Sequence, residues 1–216
     1  MLEIIGMVLV ALIGVAFSIT FKRRKAMKKR ALKSAKNSYL YALDILKGKF
    51  EEGEDIISKD AYYSYCYARD ILNNRFKQGE DAISKDAGSS YYYALDVLKG
   101  RFEQGENAIS KYAANSYCYA RYVLKGRFEK GENEISTNVF CSYYYALNVL
   151  KGRFEKGEDI ISKDANYSYN YARRILKGRF EKSEDVISKD AQCSKLYREN
   201  IYDKEFEKEL EKEIRD

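Results

Sequence analysis

A chain of 216 residues with 39 Lys or Arg against 33 Asp or Glu is formally +6, yet it contains no His, Pro or Trp and as many as 21 Tyr. The missing His removes the usual proton shuttle of neutral-pH catalysis and the commonest metal ligand. The charge is also local: residues 22–36 hold nine basic and no acidic side chains, while residues 37–216 hold 30 basic and 32 acidic ones, too near neutral for the footprint of a nucleic-acid binder.

Ile4–Phe21 is an uncharged stretch of 18 residues. At the helical rise it spans roughly 27 Å, about one bilayer core, so residues 1–21 are expected to form a single transmembrane helix. A cleaved signal peptide would carry positive charge before the apolar run, where only Glu3 stands. The charge follows instead, in a juxtamembrane linker over residues 22–34. Its Lys22, Arg23, Arg24, Lys25, Lys28, Lys29 and Arg30 are the expected contacts with anionic lipid head groups. The positive-inside rule then leaves the N-terminus outside and the remainder cytoplasmic.

From Ala35 onward a 26-residue block recurs seven times without a gap. Six close copies fill residues 35–190, and a diverged, highly charged copy fills residues 191–216 as a C-terminal cap. Such a strict period predicts a solenoid, in which each unit buries its apolar face against its neighbours. Repeat positions are numbered 1–26 from Ala35. Positions 1, 4, 5, 8, 11 and 12 (Ala, Ser, Tyr, Ala, Val or Ile, Leu) share one face of a 3.6-residue wheel, and the variable positions 2, 3, 6, 9 and 10 share the other. This predicts a first helix over positions 1–12. Asp at position 26, or Ser34 before the first copy, is its expected N-cap. Gly, or Asn74, at position 14 suits a left-handed C-cap. At position 19 Gly gives way to Ser183, which points to close packing rather than positive φ. Phe at position 16, this small residue and Ile at position 23 form one stripe of a short second helix.

The expected fold is therefore an all-α solenoid of 26-residue helix-turn-helix repeats behind an N-terminal transmembrane helix, on the order of 60–70 Å long at the usual interhelical spacing. A competing fold makes Tyr-x-Tyr a strand of an α/β solenoid. The first copy has no matching cap of its own.

The segment Ser90–Glu106, reading SYYYALDVLKGRFEQGE, resembles the tandem 26-residue "YARDVxKGRF/W" repeats of proteins from large bacteriophages and some bacteria. The resemblance spans residues 35–190. It departs where family copies often place Pro after the aromatic residue and this chain has Glu or Lys. It implies the repeat architecture and no chemistry.

No Ser-His, Cys-His, metal-ligand or phosphate-loop pattern is present, so no catalytic residue, metal ligand or cofactor is expected. Cys66 and Cys118 at position 6, and Cys141 and Cys193 at position 3, fall on the expected solvent arc as free thiols. Arg at position 15 and Glu at position 20, as in Arg101 and Glu106, read as a structural ion pair joined by a Tyr hydroxyl. Tyr at positions 5 and 7 reads either as half-buried packing or as an aromatic ladder for an extended ligand. Position 9 alternates as Leu43, Arg69, Leu95, Arg121, Leu147 and Arg173, with Tyr92 and Tyr144 at the neighbouring position 6. This banded arc is the candidate partner-binding face. The expected function is protein–protein scaffolding at a membrane. Self-association into a homo-oligomer is the alternative, and nucleic-acid capture by the Tyr rows with Lys99 and Arg101 is disfavoured.

Overall fold

A computed structural model of the chain describes residues 22–203 and divides it into two compact units, Met1–Ile83 and Ser84–Asp216. The apolar stretch and the second half of the C-terminal cap lie outside the described residues. Among these, every regular element is helical, including the Tyr-x-Tyr segments, so the strand alternative is overturned. No described helix is long and apolar enough to cross a membrane.

In the first unit a basic helix covers residues 22–31. The first helix of copy one runs Ala35–Leu40 and opens into a π-helical turn, Tyr41–Leu46, and Glu51–Ile57 forms the second helix. Copy two repeats this with Ala61–Tyr67, Ala68–Leu72, a 3₁₀ turn at Lys77–Gly79 and Glu80–Ile83. Ser64 Oγ donates to the Ile57 carbonyl at 2.8 Å, and Ser38 Oγ donates to Ala31 in the same way at 3.0 Å. Ala31 is buried, and Lys28 pairs with Glu52. The basic helix thus stands where the second helix of a preceding copy would stand, so copy one does have a covering helix. The sequence hid it because Ala31 replaces the usual Ile.

In the second unit the first helices are Ala87–Tyr92, Ala113–Cys118, Val139–Tyr145, Ala165–Tyr171 and Ala191–Tyr197, each continued by a π turn that ends at position 12. Asp86, Asn138, Asp164 and Asp190 cap them as expected, for example with the Asp164 carboxylate accepting the Tyr167 N–H at 2.9 Å. Tyr112 holds the same place with no side-chain cap bond. An N-cap contributes about 1 kcal/mol. Asp164→Ala should therefore lower stability by about 1 kcal/mol, and Tyr112→Asp should raise it by up to about 1 kcal/mol, both read from thermal unfolding by circular dichroism.

The helix ends differ from expectation. The left-handed residues are Lys47, Asn73, Lys99, Lys125, Lys151 and Lys177 at position 13, with φ of 48–55°, and no described Gly has positive φ. The π turn is the reason. The N–H groups of Lys99 and Gly100 both reach back to the Ala94 carbonyl, the latter at 3.1 Å, so the widened helix reverses one residue earlier than a plain α-helix would. A Cβ on Gly100 would meet only Leu98 O at 3.8 Å, so space does not demand Gly at position 14. The same widening turns positions 11 and 12 partly outward; Ile45 and Leu46 are even exposed. Position 7 moves into the core instead, with Tyr93, Tyr119, Tyr145 and Tyr171 wholly buried.

The second helices follow the Phe-Gly-Ile stripe. Phe128, Gly131 and Ile135 are buried, and a Cβ on Gly131 would lie 2.6 Å from both Phe128 Cδ1 and Ser116 Oγ. Close approach, not backbone freedom, explains this Gly.

A candidate interaction face above inter-repeat joints

In the second unit the first helices of copies four to seven reach into the preceding copy through their position-7 tyrosines. Phe128 begins a second helix, where the leading N–H has no partner inside the helix. The hydroxyl of Tyr145, one copy later, accepts that N–H at 2.9 Å and donates to Glu132 Oε1 at 3.3 Å. Arg127 grips the same carboxylate with two bonds, at 2.6 and 3.1 Å. Tyr119 with Phe102, Glu106 and Arg101 repeats the arrangement, as do Tyr171 with Phe154, Glu158 and Arg153, and Tyr197 with Phe180, Glu184 and Arg179. In the first unit Tyr67 joins Phe50 and Glu54, with Lys49 at 3.7 Å in place of Arg. The tyrosine of one copy thus caps the second helix of the copy before it and orients that copy's ion pair. The structural-pair reading of Arg and Glu holds.

Burial pushes the Tyr145 phenol up to about 12. Burial alone would raise the Glu132 carboxyl too, but hydrogen bonds from Arg127 and Lys156 hold it below its ordinary value. A carboxyl depressed in the folded state adds stability above its unfolded pKa, about 4.3, and that contribution fades as pH falls through the folded value. Urea unfolding should therefore show stability declining below about pH 4.5, with a shallower decline in Glu132→Gln.

A second row of joints was missed from sequence. Tyr39 donates to Asp70 at 2.7 Å, Asn148 donates to Tyr117 at 3.2 Å, Arg174 to Tyr143 at 3.5 Å and Asn200 to Tyr169 at 3.3 Å. Position 5 of one copy thus meets position 10 of the next. The available signal was that position 10 is a hydrogen-bonding residue in every copy. Among the described residues no buried side-chain N or O lacks a partner.

The candidate arc is partly absorbed by these joints. Leu43, Leu95 and Leu147 are half-buried. Arg69 is exposed but pairs with Asp70 at 2.6 Å and donates to Tyr65 at 2.6 Å. Arg121 donates to Tyr117 and lies 5.0 Å over the Tyr122 ring, and Arg173 donates to Tyr169 at 3.3 Å. Each arginine therefore braces its own helix through the tyrosine four residues earlier. Tyr92 is 49% exposed, beside Tyr91 at 4.9 Å. Tyr144 is half-buried, 4.5 Å from Phe140. Phe140 (48% exposed) and Tyr122 (47% exposed) extend this aromatic surface, although neither belonged to the expected arc. On the basic helix, Lys22, Arg23, Arg24, Lys25, Lys29 and Arg30 are exposed, whereas Lys28 is half-buried in its pair with Glu52.

The cysteines are free thiols, but they do not lie on a solvent arc. Cys66, Cys141 and Cys193 are buried and Cys118 is half-buried, and burial raises the Cys141 thiol to about 11. In the second unit, successive first helices pack side by side. Cys118 and Cys141 lie close to each other across one such seam, a place that a wheel for a single helix puts in solvent. No protein-family model, no curated protein and no solved structure matches the chain.

Proposed function

We propose that this chain is a single-pass membrane protein that holds a helical-repeat scaffold on the cytoplasmic side for protein–protein contact. The observation that carries the reading is the division of labour within each copy. The joints use up the buried polar groups, and the first-helix row still presents half-exposed aromatic rings, Tyr92, Tyr122 and Phe140. Exposed aromatic side chains beside arginine are the composition of interaction surfaces. The uncharged stretch Ile4–Phe21 and the exposed basic side chains after it support tethering beside anionic lipid. Base stacking on the position-7 tyrosines is disfavoured, because Tyr93, Tyr119, Tyr145 and Tyr171 are wholly buried. The resemblance to the phage and bacterial repeats supports the same scaffold architecture.

The test is a nuclease-treated pull-down from cell lysate with the full chain in mild detergent, beside a Leu95→Asp, Arg121→Glu variant of unchanged helicity. Proteins captured by the wild type and lost from the variant are the expected result. Identical captures would remove the arc as the contact face.

A further inference from the structure

Within the second unit the two helix rows differ in charge. The first helices of copies four to six, residues 113–124, 139–150 and 165–176, contain no acidic side chain and carry Arg121, Arg173 and Arg174. The matching second-helix stretches, residues 129–138, 155–164 and 181–190, hold eight acidic and five basic side chains besides Glu132, Glu158 and Glu184, which pair with Arg127, Arg153 and Arg179. First helices pack on first helices and second helices on second helices, so these are two separate rows. The acids of the second row include exposed side chains, Glu129, Glu155 and Glu181 at position 17 among them, Glu129 lying 3.9 Å from Arg127. Their buried counterpart Glu132 is already neutralised by Arg127 and Lys156.

The first row is also the aromatic one. Tyr91 and Tyr92, Arg121 over Tyr122, Tyr117 against Phe140 at 6.4 Å, and Phe140 against Tyr144 run across three adjacent copies. Such a strip suits a partner that brings carboxylates at regular intervals. The acidic row of this same chain brings them, and both rows step by the same 26-residue unit. Second units laid side by side in parallel bring their copies into register together, so weak pairings add.

We infer that the chain self-associates laterally, with the aromatic and arginine row of one copy of the protein against the acidic second-helix row of another. This deepens the scaffold reading and rests on it, by naming a second copy as the first partner. The two rows are different surfaces, so the contact is heterologous and leaves one row of each kind open for further addition.

Charge exchange tests this. The full chain in neutral-detergent micelles, with micelles in excess, is examined by sedimentation velocity across protein concentration and salt. The expected wild-type behaviour is concentration-dependent association that weakens with salt. One variant carries Arg121→Glu, Arg173→Glu and Arg174→Glu, and a second carries Glu129→Lys, Glu155→Lys and Glu181→Lys. Each alone should need about 30-fold more protein to associate, since like charges then face each other. Mixed together they should recover wild-type association, because both mixed contacts again pair opposite charges. If a triple variant loses helicity, Arg174→Glu mixed with Glu155→Lys gives the same reading. Failure of the mixture to associate would overturn the proposal, as would association abolished by nuclease. A monomeric wild-type chain that still captures proteins through Leu95 and Arg121 would overturn self-association and leave the scaffold reading intact.

Discussion

Tyr145→Ala should lower stability by roughly 4 kcal/mol or more and divide unfolding into two steps. Truncating a large, wholly buried aromatic side chain typically costs about 3–5 kcal/mol through lost burial and the cavity left behind. Tyr145 is 0% exposed and packs on Phe154 at 5.1 Å. Its loss would also leave the Phe128 N–H without its 2.9 Å acceptor and Glu132 without its hydroxyl donor. A buried polar group left unpaired costs about 1–3 kcal/mol. In a linear stack each copy is held only by its neighbours, so a broken joint uncouples the copies on either side. Urea unfolding followed by circular dichroism should show copies three and four separating from copies five to seven. Tyr145→Phe keeps the ring and should cost only the hydroxyl share, about 1–3 kcal/mol, with one transition. A single transition and near-wild-type stability in Tyr145→Ala would refute the joint as the main coupling element.

Gly131→Ala comes next, at about 1–3 kcal/mol for overpacking. The added methyl would meet Phe128 Cδ1 and Ser116 Cβ at 2.6 Å. Neither neighbour gives way readily. Ser116 is buried and bonded to the Ile109 carbonyl at 3.0 Å, and Phe128 packs on Tyr119 at 5.2 Å. Copy six provides the comparison. Ser183 fits there with its hydroxyl on the Phe180 carbonyl at 2.9 Å, and its backbone opens to φ −112° against −92° at Gly131. Ser183→Gly should accordingly change stability far less than Gly131→Ala, as thermal unfolding of both variants would show.

Local rules made much of this fold legible. Helix length over positions 1–12, the Asp and Ser34 caps, the Phe-Gly-Ile stripe and the Arg–Glu pair all follow from chemistry within one copy or across one turn. What stayed hidden depends on the neighbouring copy. The π turn brings the position-7 hydroxyl to a backbone N–H in the previous copy, and no single-helix wheel registers that. The seams that bury Cys141 and Cys193 arise in the same way, as do the bonds from position 10 to position 5. Ala31 escaped notice because only the Ser38 bond reveals its place. In the candidate arc, residue identities were legible, but the engagement of Arg69, Arg121 and Arg173 by tyrosines of their own helices was not.

The left-handed lysine followed by glycine also marks where this chain can be cut and rejoined. Deleting residues 126–151 would splice Lys125 directly onto Gly152, restoring the same two-residue turn that copies three to six share. The first helix of copy four would then run into the second helix of copy five. Tyr119 would keep its bond to Glu106, and Tyr171 its bond to Glu158. A cut at Val139, where the sequence block starts, falls instead inside the capped entry to a helix held by Asn138. The unit by which such an array can lengthen or shorten with its remaining joints intact is therefore a second helix plus the following first helix, half a block out of phase with the visible repeat. A chain shortened at the lysine–glycine turn should keep its helicity per residue, as circular dichroism would show.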